Sequence, residues 1–130
     1  MLRYIKNFGI LAGVTLFLLT GCYKDKTVII DTAPEVTRTV TFSADILPIF
    51  AKNCSLSGCH VSGSQVPDLS ATNAYNSLTV GNYYDKTTPA NSKLYMKMSG
   101  KLGNPMPLSG SNLDNNAFVL AWIKQGANNN

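Results

Sequence analysis

Histidine is almost absent from this sequence. The 130 residues include one, His60, so any chemistry that needs two imidazoles from one chain is excluded, a two-histidine zinc site among them. Cysteine is nearly as scarce. Cys22, Cys54 and Cys59 are too few for the disulfide framework that staples small secreted domains. No apolar run approaches the roughly 20 residues a helix needs to cross a bilayer; the longest, Ile10 to Leu19, is far shorter. Dense basic stretches are missing too. Lys24, Lys26, Arg38, Lys52, Lys86, Lys93, Lys97, Lys101 and Lys124 are scattered, which argues against a nucleic-acid partner, since that calls for a concentrated patch.

What the chain has at its start is a leader. MLRYIKNFG carries Arg3 and Lys6 and no acid, a short apolar stretch follows, and LLTGC comes next. A basic start, a short apolar core and small residues form a secretory signal over residues 1–21. A buried N-terminal helix, a short anchor, and ordinary secretion with Cys22 as a spare thiol are the alternatives. Leu19-Thr20-Gly21-Cys22 resembles the lipobox of bacterial lipoproteins. That resemblance implies cleavage before Cys22 and lipid on its sulfur, and several acyl chains on one residue suffice for stable anchoring. Tyr23 rather than Asp follows Cys22, which points to the outer membrane of a cell envelope. Loss of Arg3 and Lys6 leaves nine Lys and Arg against seven Asp and Glu, a formal +2.

Residues 22–40 read as the lipidated N-terminus and a flexible tether. Eighteen such residues, 23–40, have a typical end-to-end distance of roughly 25 Å. The compact domain is expected over 41–127, and 128–130 as a disordered tail. Its pattern is all-α, three to five short helices with long loops, and strand character is limited to Thr37–Phe42. Asp45 is placed to cap a helix from Ile46, with Pro48 in its first turn and a stripe of Ile46, Ile49 and Phe50. A second helix is expected over Ala71–Leu78 behind Ser70, and a third after Ser92, ending before Gly100. In the last, Leu113, Ala117, Leu120, Ala121 and Lys124 share a face, with Phe118 and Trp122 beside it and Gly126 as the stop signal.

The chemistry concentrates in NCSLSGCH, residues 53–60. Three readings are open for Cys54, Cys59 and His60. A Cys54–Cys59 disulfide leaves the histidine without a task. A zinc site wants about three or four protein ligands, and adjacent Cys59 and His60 converge poorly on a small ion. The third is covalent haem attachment, in which two sulfurs add to the vinyl groups and the histidine after the second sulfur binds iron. The spacing here is C-x4-C-H, so two extra residues must bulge outward. Gly58, Ser55 and Ser57 suit such a bulge.

With its flanks, TFSADILPIFAKNCSLSGCH followed late by AFVLAWIKQGA, the stretch resembles the class I c-type cytochromes, in particular monohaem domains of bacterial envelope lipoproteins. The similarity covers residues 41–127, and C-x4-C-H variants occur in that family. It implies a cytochrome c-like fold and one haem c joined to Cys54 and Cys59. His60 would be one iron ligand and a loop methionine the other. Met106, held between Pro105 and Pro107 in GNPMPLSG, fits that place better than Met96 or Met98 in SKLYMKM, whose default role is packing. The function implied is one-electron transfer between redox partners met transiently, not enzyme catalysis. A haem domain with an open iron site for ligand sensing, and a non-haem structural lipoprotein, are the alternatives. A haem peroxidase would want a distal acid–base group, and no second imidazole exists to supply it.

Overall fold

The computed structural model describes residues 34–130. The signal segment, Cys22 and the first part of the expected tether lie outside the described residues. Helix accounts for 41% of the described part and no strand is present there, so the all-α expectation holds and Thr37–Phe42 is not a strand. No helix among the described residues is long and apolar enough to cross a membrane.

The first helical segment opens with a π-helical turn, Phe42–Ile46, that runs into α1, Leu47–Asn53. Thr41, not Asp45, is its N-cap, with Thr41 Oγ1 accepting the Ala44 N–H at 3.3 Å. Asp45 sits inside the turn and reaches back to accept the Thr41 N–H at 2.8 Å. The pair acts as a capping box stretched by one residue. Pro48, which lacks a donor, falls just after the wider turn, where the ladder is already interrupted. Ile46, Ile49 and Phe50 are buried, as the apolar stripe predicts, and Phe42 is buried with them.

Asp68 organises the approach to α2, Ala74–Val80. Its carboxylate accepts the Ser70 N–H at 2.9 Å and the Asn73 side-chain N–H at 2.8 Å. The helix therefore begins later than Ala71, after a turn in which the Ala74 N–H reaches the Ser70 carbonyl. A 3-10 turn, Pro89–Asn91, leads into α3, Lys93–Met98, which ends before Gly100 as expected.

α4, Leu113–Lys124, is the longest element among the described residues. Asn112 caps it, its side chain accepting the Asn115 N–H at 2.9 Å. The buried face overlaps the expected one at Ala117 and Ala121, which are buried with the neighbouring Trp122, but it is centred differently. Val119, Trp122 and Ile123 are fully enclosed, whereas Leu113 is 43% exposed and Lys124 is exposed. Trp122 sets this rotation. Its ring packs on Phe42 at 5.2 Å and Tyr84 at 5.3 Å, and its Nε1–H donates to the Asn128 carbonyl at 2.9 Å. Through Phe42 and Trp122, α4 packs against the start of the first helical segment.

Both margins of the domain are tied down. Val40 is 2% exposed, and its N–H donates to the Gln125 side chain at 2.8 Å while that side chain donates to the Arg38 carbonyl at 3.0 Å. The packed body thus reaches into the stretch expected as tether. Residues 128–130 are not a loose tail either. Asn130 accepts the Phe42 N–H at 2.9 Å and the Ser43 N–H at 2.8 Å, satisfying donors that a helix start leaves without intrahelical partners.

Candidate functional site

The end of α1 delivers Cys54 as a buried C-cap whose N–H returns to the Phe50 carbonyl. A loop then turns the chain back on itself. The Cys59 N–H reaches the Leu56 carbonyl at 2.8 Å, and the His60 N–H reaches the Cys54 carbonyl at 3.1 Å. This closure brings Cys54 and His60 together and pushes Leu56, Ser57 and Gly58 to the surface. Gly58 turns with φ +76° and has open space around it, a backbone setting that glycine accepts without strain. The expected outward bulge is present.

His60 is oriented by a partner that the sequence does not advertise. Its Nδ1 stands 2.9 Å from the Pro67 carbonyl oxygen. A carbonyl only accepts, so Nδ1 carries the hydrogen, and in the neutral ring Nε2 is then the atom with the lone pair. A second-atom hydrogen bond of this kind is how proteins aim an imidazole at a metal. The loop is pinned on either side of that contact, with the Gln65 N–H on the Cys59 carbonyl at 3.0 Å and the Leu69 N–H on the His60 carbonyl at 2.8 Å.

Cys54, Cys59, His60 and Met106 line one cleft of about 580 Å³. A second lobe of about 260 Å³ shares Cys54, His60 and Met106 and adds Met98, Lys93 and Lys97. Volumes of this size suit a medium-sized, largely apolar ligand. Met106 is held in place by its N–H on the Lys97 carbonyl at 2.9 Å. Met98 is buried in the wall of the smaller lobe, and Met96 lines neither lobe. The structure therefore brings the sequence-nominated residues of the domain to one place. Four of the exposed large apolar side chains, Leu56, Val66, Leu102 and Leu108, stand on the same cleft.

Both cysteines are free thiols, Cys54 buried and Cys59 exposed. Burial, with a smaller contribution from neighbouring Cys59, pushes the Cys54 thiol up to about 11. It is an un-ionised group at neutral pH. Among the described residues no group of three or more His, Cys, Asp or Glu is placed to hold a metal ion. A bare ion would thus lack ligands here. A metalloporphyrin brings four nitrogens of its own and asks the protein for at most two axial donors. One imidazole with a free Nε2 and one thioether are what the cleft offers, beside two thiols and apolar walls. The donor set fits a covalently held haem.

Sequence reasoning missed Pro67, Val66, Leu108 and the lysines of the smaller lobe. Only the X-Pro break at Pro67 marks that position in the sequence, and it says nothing of where the carbonyl points. Comparison of the chain with protein-family models, with curated proteins and with solved structures finds no match.

Proposed function

We propose that this chain is a monohaem c-type cytochrome that carries single electrons between redox partners in a bacterial cell envelope, anchored by lipid on Cys22. One observation carries the reading. Cys54, Cys59, His60 and Met106 line a single apolar cleft, with the His60 ring turned by Pro67 so that Nε2 is available.

In this reading Cys54 and Cys59 would hold the haem covalently, each thiol joined to it as a thioether by addition across a vinyl group. No electron is lost, and the thiols must be reduced beforehand. His60 Nε2 and the Met106 sulfur would be the protein's two donors to the haem iron. Haem iron so ligated supplies a reversible one-electron couple, and a thioether partner raises its reduction potential relative to harder ligands. The backbone does the positioning. Pro67 holds the His60 tautomer, and Lys97 holds the Met106 loop. Apolar walls keep water away and disfavour the extra charge of the ferric state.

Two protein donors, His60 and Met106, would leave the iron no position for a substrate, which favours electron carriage over peroxidase chemistry or gas sensing. Redox encounters are small and transient, and a lipid tether raises local concentration without needing affinity. The test is retention of haem. Protein produced with a haem-attachment system should keep its colour through denaturing electrophoresis and acid–acetone extraction, and should lose it in Cys54→Ala/Cys59→Ala. Extraction of the colour from the wild-type chain would contradict the reading.

A further inference from the structure

The charged residues of the cleft are all of one sign. Lys52 stands on the larger lobe, Lys93 and Lys97 stand on the smaller one, and no Asp or Glu lines either. Lys93 and Lys97 lie four residues apart on α3, the spacing that places side chains on one helix face. The rest of that lobe is largely apolar, with Leu69, Leu94 and Met98 in its wall. Lys97 is half-buried. Among the described residues the only ion pair joins Arg38 to Asp45, so neither lysine has a carboxylate partner there. Lys93 is exposed, so the two ammonium groups are open to an anionic group arriving with the ligand, with no carboxylate on the lobe to compete for it.

The two lobes also differ in which attachment sulfur they touch. Cys59 lines the larger lobe only, while Cys54, His60 and Met106 line both. A haem joined through its vinyl groups has its thioethers at one edge and its two carboxylates at the opposite edge. The edge bearing both sulfurs belongs with the larger lobe, and the opposite edge extends towards the smaller one. We propose that Lys93 and Lys97 are the carboxylate-binding end of this cleft, receiving the propionates of the porphyrin. This assignment rests on the haem reading. Because the Lys97 carbonyl also holds the Met106 N–H at 2.9 Å, one residue would tie the carboxylate end to the methionine loop.

Neutralising a propionate favours the ferrous state, since the iron then feels less negative charge. The test is potentiometry at neutral pH on the full, haem-loaded protein, comparing Lys93→Gln, Lys97→Gln, the double variant and Lys97→Arg. Lys52→Gln, the same charge change on the larger lobe, is the control. The double variant should raise the ferric-to-ferrous ratio at fixed potential about tenfold, a fall of about 59 mV for one electron, with Lys52→Gln under about threefold. Lys97→Arg should restore most of the loss. The difference should survive about 1 M salt, where exposed charges are screened within about 3 Å. A haem-loaded double variant that behaves like Lys52→Gln, or a difference abolished by salt, overturns the assignment and leaves these lysines as a solvated rim. A wild-type chain without covalent haem overturns the haem reading and this assignment with it.

Discussion

The Nδ1 atom of His60 donates to the carbonyl oxygen of Pro67 across 2.9 Å, so in the neutral ring the lone pair is on Nε2. In the proposed reading that nitrogen is the imidazole donor to the iron. His60→Ala should keep both thioethers and convert the spectrum from low-spin to high-spin, and added imidazole should restore the low-spin form. Absorption spectra of the variant before and after imidazole check this. A spectrum unchanged by the substitution would remove His60 from the iron.

Met106 should be separable from Met98 by substitution. Met106→Ala is expected to abolish the weak far-red band of ferric iron bound to thioether sulfur. It should also lower the potential by on the order of 0.1 V, within the roughly 0.8 V range over which axial ligands move haem potentials. Met98→Ala removes a buried packing residue and should lower stability by about 2–5 kcal/mol with the band retained. The reverse pattern would move the ligand to Met98.

The two thiols should differ before any haem is attached. Cys59 is exposed and Cys54 is buried, with its thiol pushed up to about 11 from an ordinary 9.0. Alkylation at mildly alkaline pH, followed by mass mapping, should label Cys54 about tenfold more slowly than Cys59 or slower still, because the thiolate is the nucleophile. The same shift has a stability sign. A raised folded value means the neutral thiol contributes stability below about pH 9, and that contribution is lost as pH rises towards about 11. Cys54→Ser should weaken that alkaline fall in the apo protein, as read from urea midpoints across this range.

At the acid end one such group is Asp45. Hydrogen bonds from Arg38 first, then from the Thr41 N–H, hold its carboxyl down to about 2 against partial burial. A depressed value stabilises the fold above about pH 4 and is lost as pH falls through about 2. The Arg38 end of the pair is 55% exposed, so the ion pair itself is worth little. Asp45→Ala should cost about 1 kcal/mol at neutral pH, chiefly through the capping bond to Thr41. The cost should vanish near pH 2, which urea midpoints at the two pH values will show.

Where local rules were sufficient, the sequence was readable. The stop before Gly100, the start after Ser92, the stripe of Ile46, Ile49 and Phe50, and the bulge at Gly58 each depend on residues within a few positions. Where the deciding partner is distant, the sequence was mute. Val40 is buried because Gln125, 85 positions away, takes its N–H. Asn130 is ordered because the first helical turn, 88 positions back, has free donors. The face that α4 buries follows from where Trp122 meets Phe42 and Tyr84, which no periodicity encodes. Asp45 was misplaced as a cap because the π turn starts the helix four residues early. The site divides the same way. Cys54, Cys59 and His60 stand in one motif, and Met106 is flagged by its two prolines. Pro67 and Lys97 act through backbone carbonyls, which leave no mark in side-chain pattern.

The central claim is that one haem is bonded to the sulfurs of Cys54 and Cys59. Intact mass together with a pyridine haemochrome spectrum, on full-length protein matured by a haem-attachment system, tests it most directly. The account predicts a polypeptide heavier by one haem, a c-type spectrum, and no free thiol at either position. A colourless protein of unmodified domain mass, with Cys54 and Cys59 free or joined to each other, would contradict it.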